Sequence, residues 1–444
     1  MLAPKSLDRR SALLRGAVLL ASLTFASCDA REPAATPNTP AGPGAGAPTT
    51  PGGGAAPDLA SLRTQETEAD AGEVDRALRA PDPAEIPELN DLVWAQELPA
   101  ASGRPDPSLE RLEPLTEWNG VAVEFYEERY PGGGLRLQGH RTTPTGEAAV
   151  AHGPEWRWFE NGQLERRRLF QLGKVDGEFQ EWHESGIQKI EGQLELDFPV
   201  GRWVRWNALG PVWKVQQYAG GALDGVEYVF FPEGTLNQRT AWSHGKKDGE
   251  EFVWSKRGLP LEHNGWKNGK RHGVRRQWQG QGRLALEATF IDGKRNGPFH
   301  QYWKSGDPHL QGQFDMGNRV GEWRQWGEAG TLASVEHYVD GEYDGQVQRW
   351  NADGFLVFEG EFALGKGTGT HRRYYDGGGP KSEQVYVDGV QEGIKTTWHP
   401  NGVKASEGPM KADVRHGEWT LWDDEGAVLE AWSGRYENGE KVSE

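Results

Sequence analysis

The apolar and polar positions along most of this chain repeat every 24 residues. With Gly153 as position zero, a glycine returns at every 24th residue as far as Gly417. An aromatic residue stands at position five of each unit, and a second glycine stands at position nine. A looser aromatic stripe follows at position seventeen. Self-similarity at a fixed period is typical of repeat arrays, in which each unit packs mainly on its neighbours. Each unit is named below by its zero glycine, so that unit 321 begins at Gly321.

Two turn signals divide each unit into two predicted strands. Pairs such as Asn161-Gly162 and Asn401-Gly402 mark one reversal, and pairs such as Asn268-Gly269 mark the next. Asn or Asp followed by Gly tolerates the positive φ angles of a tight hairpin turn. Phe299 and Tyr302 do not share a face at a strict period of two, which predicts a bend or bulge in the first strand. Helices are not expected, because glycine recurs too often.

The pattern predicts an all-β fold, an elongated single-layer antiparallel meander of tandem β-hairpin repeats. Twelve repeats would span 153–440, after a degenerate N-terminal capping repeat at 116–152 and before a charged end at 441–444. The second turn lacks its glycine at Asp197 and Asp413. The geometry of those two loops is therefore left open by the pattern.

Composition agrees with a thin repetitive structure. The chain has 444 residues, with 61 glycines, 20 tryptophans and only 36% hydrophobic residues, which does not suit an ordinary compact core. The formal net charge of −17 argues against nucleic acid, since phosphate binding needs clustered cations. The short basic runs at 166–168 and 275–276 are interpreted as solvated charges on exposed strands.

The N-terminus carries an export pattern. Basic residues precede an apolar run at 17–25, and Ala26 and Ser27 stand just ahead of Cys28, the only cysteine. Residues 1–27 resemble a bacterial lipoprotein signal peptide, which implies that Cys28 is diacylated and anchors an exported chain in the cell envelope. Phe25 departs from the Leu that the family prefers, so an ordinary secretory signal or an uncleaved anchor stays open. A single cysteine excludes an internal disulfide and a cysteine-based zinc site.

Residues 28–115 are predicted to be a linker. The first part, to about residue 57, is Pro, Ala, Gly and Thr with almost no large apolar side chain, which is typical of a disordered tether. The second part is acidic and interrupted by Pro81, Pro83 and Pro87. One marginal helix is the most structure expected there.

The repeated residues resemble a known class. The stretches "GEWRQWGEAGTL" at 321–332 and "FIDGKRNG" at 290–297 are similar to the bacterial 24-residue variant of the MORN repeat, and the resemblance covers about 118–440. It implies a twisted sheet of hairpins used for binding or scaffolding. Relatives are often labelled as antitoxins, although an envelope-anchored chain is an odd neutraliser of a cytoplasmic toxin.

The aromatic residues have two competing interpretations. They can stack on the next unit and replace a core, or they can present a ladder of rings to a ligand. Trp156, Tyr228 and Phe252 occupy position three in only some units, which makes them better candidates for a specific partner site. The candidate binding or structural aromatics are Trp156, Trp158, Trp182, Trp206, Tyr228, Trp254, Trp278, Tyr302, Trp326, Trp350, Tyr374, Trp398 and Trp422.

Signs of catalysis are few. The chain contains neither an H-E-x-x-H motif nor a G-x-S-x-G elbow, and His272 and His416 stand at equivalent turn positions. We therefore expect no catalytic residue, no metal and no cofactor. The leading expectation is a monomeric, envelope-anchored scaffold for an unknown protein partner, which predicts irregular apolar residues clustered on one face. The alternatives are a cell-wall or other glycan binder, which needs exposed coplanar aromatics, an antitoxin-like neutralising protein, and a degradative enzyme with an acidic site.

Overall fold

The computed structural model describes residues 78–90, 92 and 111–442. The predicted signal peptide, Cys28 and the predicted tether lie outside these residues. Two short 3-10 helices, Pro83–Glu85 and Pro87–Leu89, precede the strands.

The described strands, numbered in chain order, are β1 (Glu117–Trp118), β2 (Val121–Ala122), β3 (Glu124–Arg129), β4 (Leu135–Thr142), β5 (Val150–Trp158), β6 (Leu164–Gln171), β7 (Lys174–Trp182), β8 (Gln188–Glu195), β9 (Phe198–Trp206), β10 (Val212–Ala219), β11 (Ala222–Leu223), β12 (Gly225–Phe230), β13 (Leu236–Ser243), β14 (Lys246–Trp254), β15 (Pro260–Lys267), β16 (Lys270–Gln279), β17 (Arg283–Ile291), β18 (Lys294–Tyr302), β19 (Pro308–Asp315), β20 (Asn318–Trp326), β21 (Leu332–Val339), β22 (Glu342–Trp350), β23 (Leu356–Ala363), β24 (Lys366–Tyr374), β25 (Pro380–Val387), β26 (Val390–Trp398), β27 (Lys404–Lys411), β28 (Val414–Arg415), β29 (Gly417–Leu421), β30 (Gly434–Glu437) and β31 (Glu440–Lys441).

Strands β3 to β31 form one antiparallel sheet in meander order. Among the described strands, those that follow one another in the chain pair, except at two short pieces: β11 pairs only with β10, and β28 pairs only with β27. Strand β10 therefore also pairs with β12, and β27 with β29. Strands β1 and β2 form a separate hairpin. The all-β class and the meander of hairpins predicted from the sequence are confirmed.

The first turn of each unit uses glycine alone in the left-handed region. Gly162 has φ 84°, and Phe159 accepts from its N–H at 3.0 Å and donates to Gln163 at 2.8 Å, which is a three-residue hairpin loop with a bulge. Asn161 does not take a positive φ, contrary to the expectation for the pair. Its side-chain oxygen instead accepts from the Gln163 N–H at 3.0 Å, and its amide donates to the Glu184 carbonyl of the next unit at 3.0 Å.

The second turn has positive φ at two successive residues, as at Asn268–Gly269 with 50° and 78°. This is the geometry of a type I′ hairpin turn. Asp197 and Asp413 keep it, with φ 76° and 67°, since Asp tolerates the left-handed region better than most residues. The Asp197 carboxylate accepts from the Val175 N–H at 2.8 Å, and Asp413 accepts from Gln391 in the same way. Loss of the glycine therefore leaves the turn unchanged.

The zero glycine marks a bulge in the first strand, which lies before Phe299 and not between Phe299 and Tyr302, where the sequence pattern suggests it. In β17 and β18, Ala288 pairs with Phe299, whereas Phe290 pairs with Arg295, so the first strand holds extra residues around Gly297. Gly297 has φ 101°, which a residue with a Cβ rarely adopts. A second register shift separates positions four and five of each full unit.

Register assigns side chains to two faces. Positions three and fourteen pair, as do five and eleven, and we call their side the ladder face; Val204 pairs with Val215, and Trp206 with Val212. Positions two, four, thirteen, fifteen and seventeen lie on the other side, which we call the opposite face. Directly paired residues of an antiparallel sheet share a face, so the alternation continues from unit to unit.

Apolar packing changes face along the array. On the ladder face, one cluster of buried residues covers units 201–249 and another covers units 321–345. On the opposite face, a cluster covers units 273–321. The ladder-face clusters include Val204, Trp206, Val212, Val215, Tyr228, Phe230, Leu236 and Trp254, then Trp326, Leu332, Trp350 and Leu356; the opposite-face cluster is Ala288, Phe290, Phe299, Phe314, Trp323 and Tyr338.

Candidate binding face and its strap

A segment from the predicted linker lies on the ladder face of units 201–249. We call residues 78–90 and 92 the strap. Its two 3-10 turns begin at prolines, whose fixed φ suits the first position of a helical turn. The Asp82 carboxylate accepts from the Ala84 N–H at 3.0 Å and caps the first turn. Proline and the cap thus give a short, locally ordered shape to a segment without the repeat pattern.

Backbone hydrogen bonds attach one end of the strap to unit 249. The Trp254 indole N–H donates to the Leu78 carbonyl at 2.7 Å. The Ala80 N–H donates to the Gly258 carbonyl at 3.0 Å. A position-five tryptophan therefore acts both as packing surface and as a donor to an incoming peptide backbone.

Two apolar side chains anchor the strap. Ile86 is 8% exposed and Leu89 is 0% exposed, and both belong to the buried cluster with Trp206, Phe230 and Trp254. Ile86 and Leu89 are three residues apart, which is one turn of a 3-10 helix, so both side chains point towards the sheet. Full burial of such a side chain contributes about 1.5–3 kcal/mol relative to exposure. The strap is therefore a packed part of the structure at this face.

The irregular position-three residues lie beneath this segment in part. Tyr228 stacks on Phe230 with centroids 6.5 Å apart, and Phe252 stacks on Trp254 at 5.6 Å. Burial raises the pKa of Tyr228, and among the charges around it the Glu88 carboxylate of the strap acts in the same direction. The structure thus brings Tyr228 and Phe252 to one apolar surface with its own peptide on it.

Trp156 lies elsewhere. Its ring is 6.2 Å from that of Trp158, and the Arg167 guanidinium lies 4.2 Å from the ring centroid. It forms a local cation–π pair in the first full unit. The three position-three candidates therefore do not form one site.

The remaining predicted aromatics are packed to different degrees. None of the candidate aromatics is exposed. The buried ones, at 2–9% exposure, are Trp158, Trp206, Tyr228, Trp254, Trp326 and Trp350, and the half-buried ones are Trp156, Trp182, Trp278, Tyr302, Tyr374, Trp398 and Trp422.

A second segment before the sheet also contacts the ladder face. The Leu112 N–H donates to the Gln138 side-chain oxygen at 2.9 Å, and the Leu115 N–H donates to the His140 Nε2 at 3.0 Å. Sequence reasoning did not single out Ile86, Leu89 or Leu112. The sequence does contain one indication of this packing: apolar residues stand between prolines in an otherwise polar stretch, which is unusual for a solvated linker.

The described residues hold no group of three or more His, Asp or Glu side chains arranged to bind a metal ion. His272 faces Asp292 at 3.8 Å across neighbouring turns, and the His416 N–H donates to Pro409 within its hairpin. Both histidines therefore have turn contacts. Across the same part of the chain, no helix has the length and apolar character needed to cross a bilayer.

No family model matches the chain, and no curated protein matches it. Among solved structures, a chain of the TcdB2-TccC3-TEV crystal structure aligns over 68% of this chain and 19% of its own length, with 11% identity and a TM-score of 0.15. A chain of the Photorhabdus luminescens Tc holotoxin pore aligns over 71% and 19%, with 11% identity and a TM-score of 0.14. This chain thus spans about a fifth of the length of those chains.

Proposed function

We propose that this protein is a non-catalytic repeat scaffold, of the kind that MORN repeats form, which binds a protein partner through the ladder face. Export and a lipid anchor at Cys28 would place it in the cell envelope. The observation that carries the proposal is the strap, a segment with two 3-10 turns that the ladder face already holds by hydrogen bonds to its backbone and by two apolar anchors. Peptide capture of this kind uses main-chain donors for affinity and pockets for specificity.

The partner segment would resemble the strap in chemistry. It would present two apolar side chains spaced by three, a proline turn between them, and a free carbonyl for the Trp254 indole. Acidic residues beside the anchors are tolerated, as Glu85 and Glu88 are in the strap. The irregular apolar residues at position three give this surface its identity within an otherwise uniform array.

The glycan alternative receives less support at the position-five ladder. Sugar stacking needs open ring faces, whereas the described position-five rings are buried or half-buried. The antitoxin alternative would use the same peptide-accepting face with a toxin as the partner. It differs from the scaffold proposal in the compartment where binding takes place.

A peptide-binding experiment tests the proposal. The double variant Ile86→Asp, Leu89→Asp places two charges at the anchors and should free the ladder face. A fluorescein-labelled peptide of residues 78–92 should then bind this variant saturably, as measured by anisotropy. Wild type should bind it much more weakly, because its own strap competes at a high effective concentration.

Matched controls define the surface. In the double-variant background, Tyr228→Ala should weaken peptide binding at least ~tenfold, which is the size expected for an aromatic contact residue of about 1.4 kcal/mol or more. Tyr375→Ala, an aromatic truncation in unit 369, should leave binding unchanged. A peptide that fails to bind the freed face, or that binds equally after Tyr228→Ala, would show that the face serves packing alone.

Location and partner are tested in the native host. Cys28→Ser should move the protein from the membrane fraction to the soluble fraction if the cysteine is lipidated. In the Ile86→Asp, Leu89→Asp background, a photo-crosslinking benzoylphenylalanine at position 252 should give one discrete intermolecular adduct in envelope preparations, and the same group at position 375 should not. Adducts of equal yield at both positions would contradict a specific partner surface.

A further inference from the structure

A cleft of about 590 Å³ opens at units 369 and 393, far along the chain from the strap-covered face. Its lining includes His371, Arg373, Gln384, Tyr386, Lys395 and Trp398. No residue that lines it is acidic. Small-ligand sites commonly have volumes of ~300–1,000 Å³, aromatic walls and a few polar groups, so the cleft falls in that class.

Among the described residues, no carboxylate pairs with Lys395, Arg373 or Arg415, although Arg372, on the other side of the strand that holds Arg373, pairs with Glu359 and Glu383. Lys395 makes a long contact of 3.5 Å to the Gln391 side-chain oxygen, and Arg373 lies over the Phe358 ring at 5.9 Å. Arg415, in the next hairpin, lies over the Trp419 ring at 4.5 Å. Burial lowers the pKa of Lys395, and the positive charges of Arg415 and Arg373 lower it further.

Equivalent positions earlier in the array are charge-balanced. Position two is Glu227 in unit 225 and Glu251 in unit 249. Glu227 forms an ion pair with Lys214, and Glu251 forms one with Lys247. In unit 393 the same position is Lys395. The chain as a whole carries a net charge of −17, so a patch of cations without carboxylates is not a consequence of average composition.

The side-chain oxygen of Gln384, which lines the cleft, accepts no hydrogen bond from the described residues. Gln384 is 4% exposed, and its amide nitrogen donates to the Val385 carbonyl at 2.7 Å. Its side-chain oxygen is buried without a hydrogen-bond partner. A buried acceptor without a donor costs free energy, which a ligand hydroxyl would recover. Gln384 pairs directly with Lys395 on the neighbouring strand, so the unpaired amide oxygen and the lysine ammonium group lie next to each other.

Aromatic rings supply the third element. His371 and Tyr386 both line the cleft, with ring centroids 4.4 Å apart. A bare anion would use the cations but would have no use for these rings or for the Gln384 acceptor. We propose that this cleft binds an acidic sugar, with its carboxylate at Arg373 and Lys395, a hydroxyl donating to Gln384, and a ring against Tyr386. This site does not depend on the proposed function of the ladder face.

Calorimetry with the full chain tests the site with three probes at low salt: digalacturonate, the neutral galactobiose, and inorganic phosphate. Digalacturonate should bind at least ~tenfold more tightly than either of the other two. Lys395→Met and Arg373→Met should each weaken digalacturonate binding roughly tenfold, as expected for loss of a charged hydrogen bond. Arg373 is exposed, so its variant removes charge without disturbing the core.

Two further variants separate recognition from simple attraction. Lys256→Met changes the net charge equally at an exposed turn of unit 249 and should leave binding unchanged. Gln384→Leu should weaken digalacturonate binding but not phosphate binding. Absence of binding below ~10 mM, equal affinity for phosphate, or an equal loss in Lys256→Met would each overturn the proposal.

Discussion

Units 201–249 and units 273–321 have the same backbone but place their apolar packing on different faces. In the first group, the buried cluster is on the ladder face and includes Ile86 and Leu89 of the strap. In the second, the cluster is on the opposite face and consists of residues of the sheet alone, such as Phe299 and Trp323. One region therefore completes its core with an added segment, whereas the other is complete without one.

The opposite face of units 201–249 shows the same contrast. Where the second group has Phe299 and Trp323 at position two, units 225 and 249 have the buried carboxylates Glu227 and Glu251. Glu251 is 6% exposed and accepts from Gln238 at 3.1 Å, Asn264 at 3.2 Å and the Trp266 indole at 3.0 Å, besides its ion pair with Lys247. A buried carboxylate is tolerated when its oxygens are fully supplied with donors.

The difference teaches that the 24-residue backbone pattern does not fix where a unit obtains its stability. The turns and bulges specify the sheet, and positions two, three, fourteen and fifteen are free to be apolar or polar. A region with a polar opposite face depends more on what covers its ladder face. That dependence makes units 201–249 the region where binding can be coupled to stability.

The largest expected effect is at the strap-independent cluster. Trp323→Ala should destabilise the units around 321 by about 3–5 kcal/mol, because a fully buried ring leaves a cavity among neighbouring aromatics. Local hydrogen exchange should show the loss in β18–β21 and not in β10–β14. A loss under about 1 kcal/mol would contradict a packed cluster.

Removal of the Glu251 carboxylate should cause the next largest loss of stability. Glu251→Ala leaves Lys247 and the Trp266 indole without their acceptor, and breaking a buried charged network costs about 3 kcal/mol. Glu251→Gln keeps an acceptor oxygen and should cost less than Glu251→Ala in the same denaturation experiment. An equal cost for the two variants would show that packing matters there more than hydrogen bonding.

A close approach in the second group gives a smaller effect. A Cβ at Gly312 would lie 2.3 Å from the Trp323 ring, so Gly312→Ala should cost about 2 kcal/mol through overpacking. Gly377→Ala is the control, because that residue has open space around it. The pairing recurs at Gly192 with Trp203, which explains why glycine stands opposite tryptophan in these units.

The sequence was sufficient for the parts of the fold that local geometry dictates. The zero glycines and the turn glycines predict most of the bulges and turns, because glycine adopts positive φ angles without strain. The residue before the turn glycine varies, and Leu172 and Met316 take a positive φ there as Asn268 does. The strap was missed, because the seating of Ile86 and Leu89 depends on contacts over 100 residues away in the chain. The cleft at Arg373 and Lys395 was also missed, since register had to be known before charges from neighbouring strands could be placed together.

The smallest expected effect isolates the hydrogen bond between sheet and strap. Trp254→Phe keeps an aromatic ring in the ladder but removes the indole donor to the Leu78 carbonyl. Its cost should be about 1 kcal/mol, the usual net value of one hydrogen bond, plus a small packing loss. Trp326→Phe is the matched control, because that indole N–H is buried without a partner and its removal should cost less. If the two variants lose equal stability, the bond to the strap contributes nothing and only packing holds the segment. If Trp254→Phe alone loses stability, and the loss disappears in the Ile86→Asp, Leu89→Asp background, then position five of unit 249 recognises a peptide backbone.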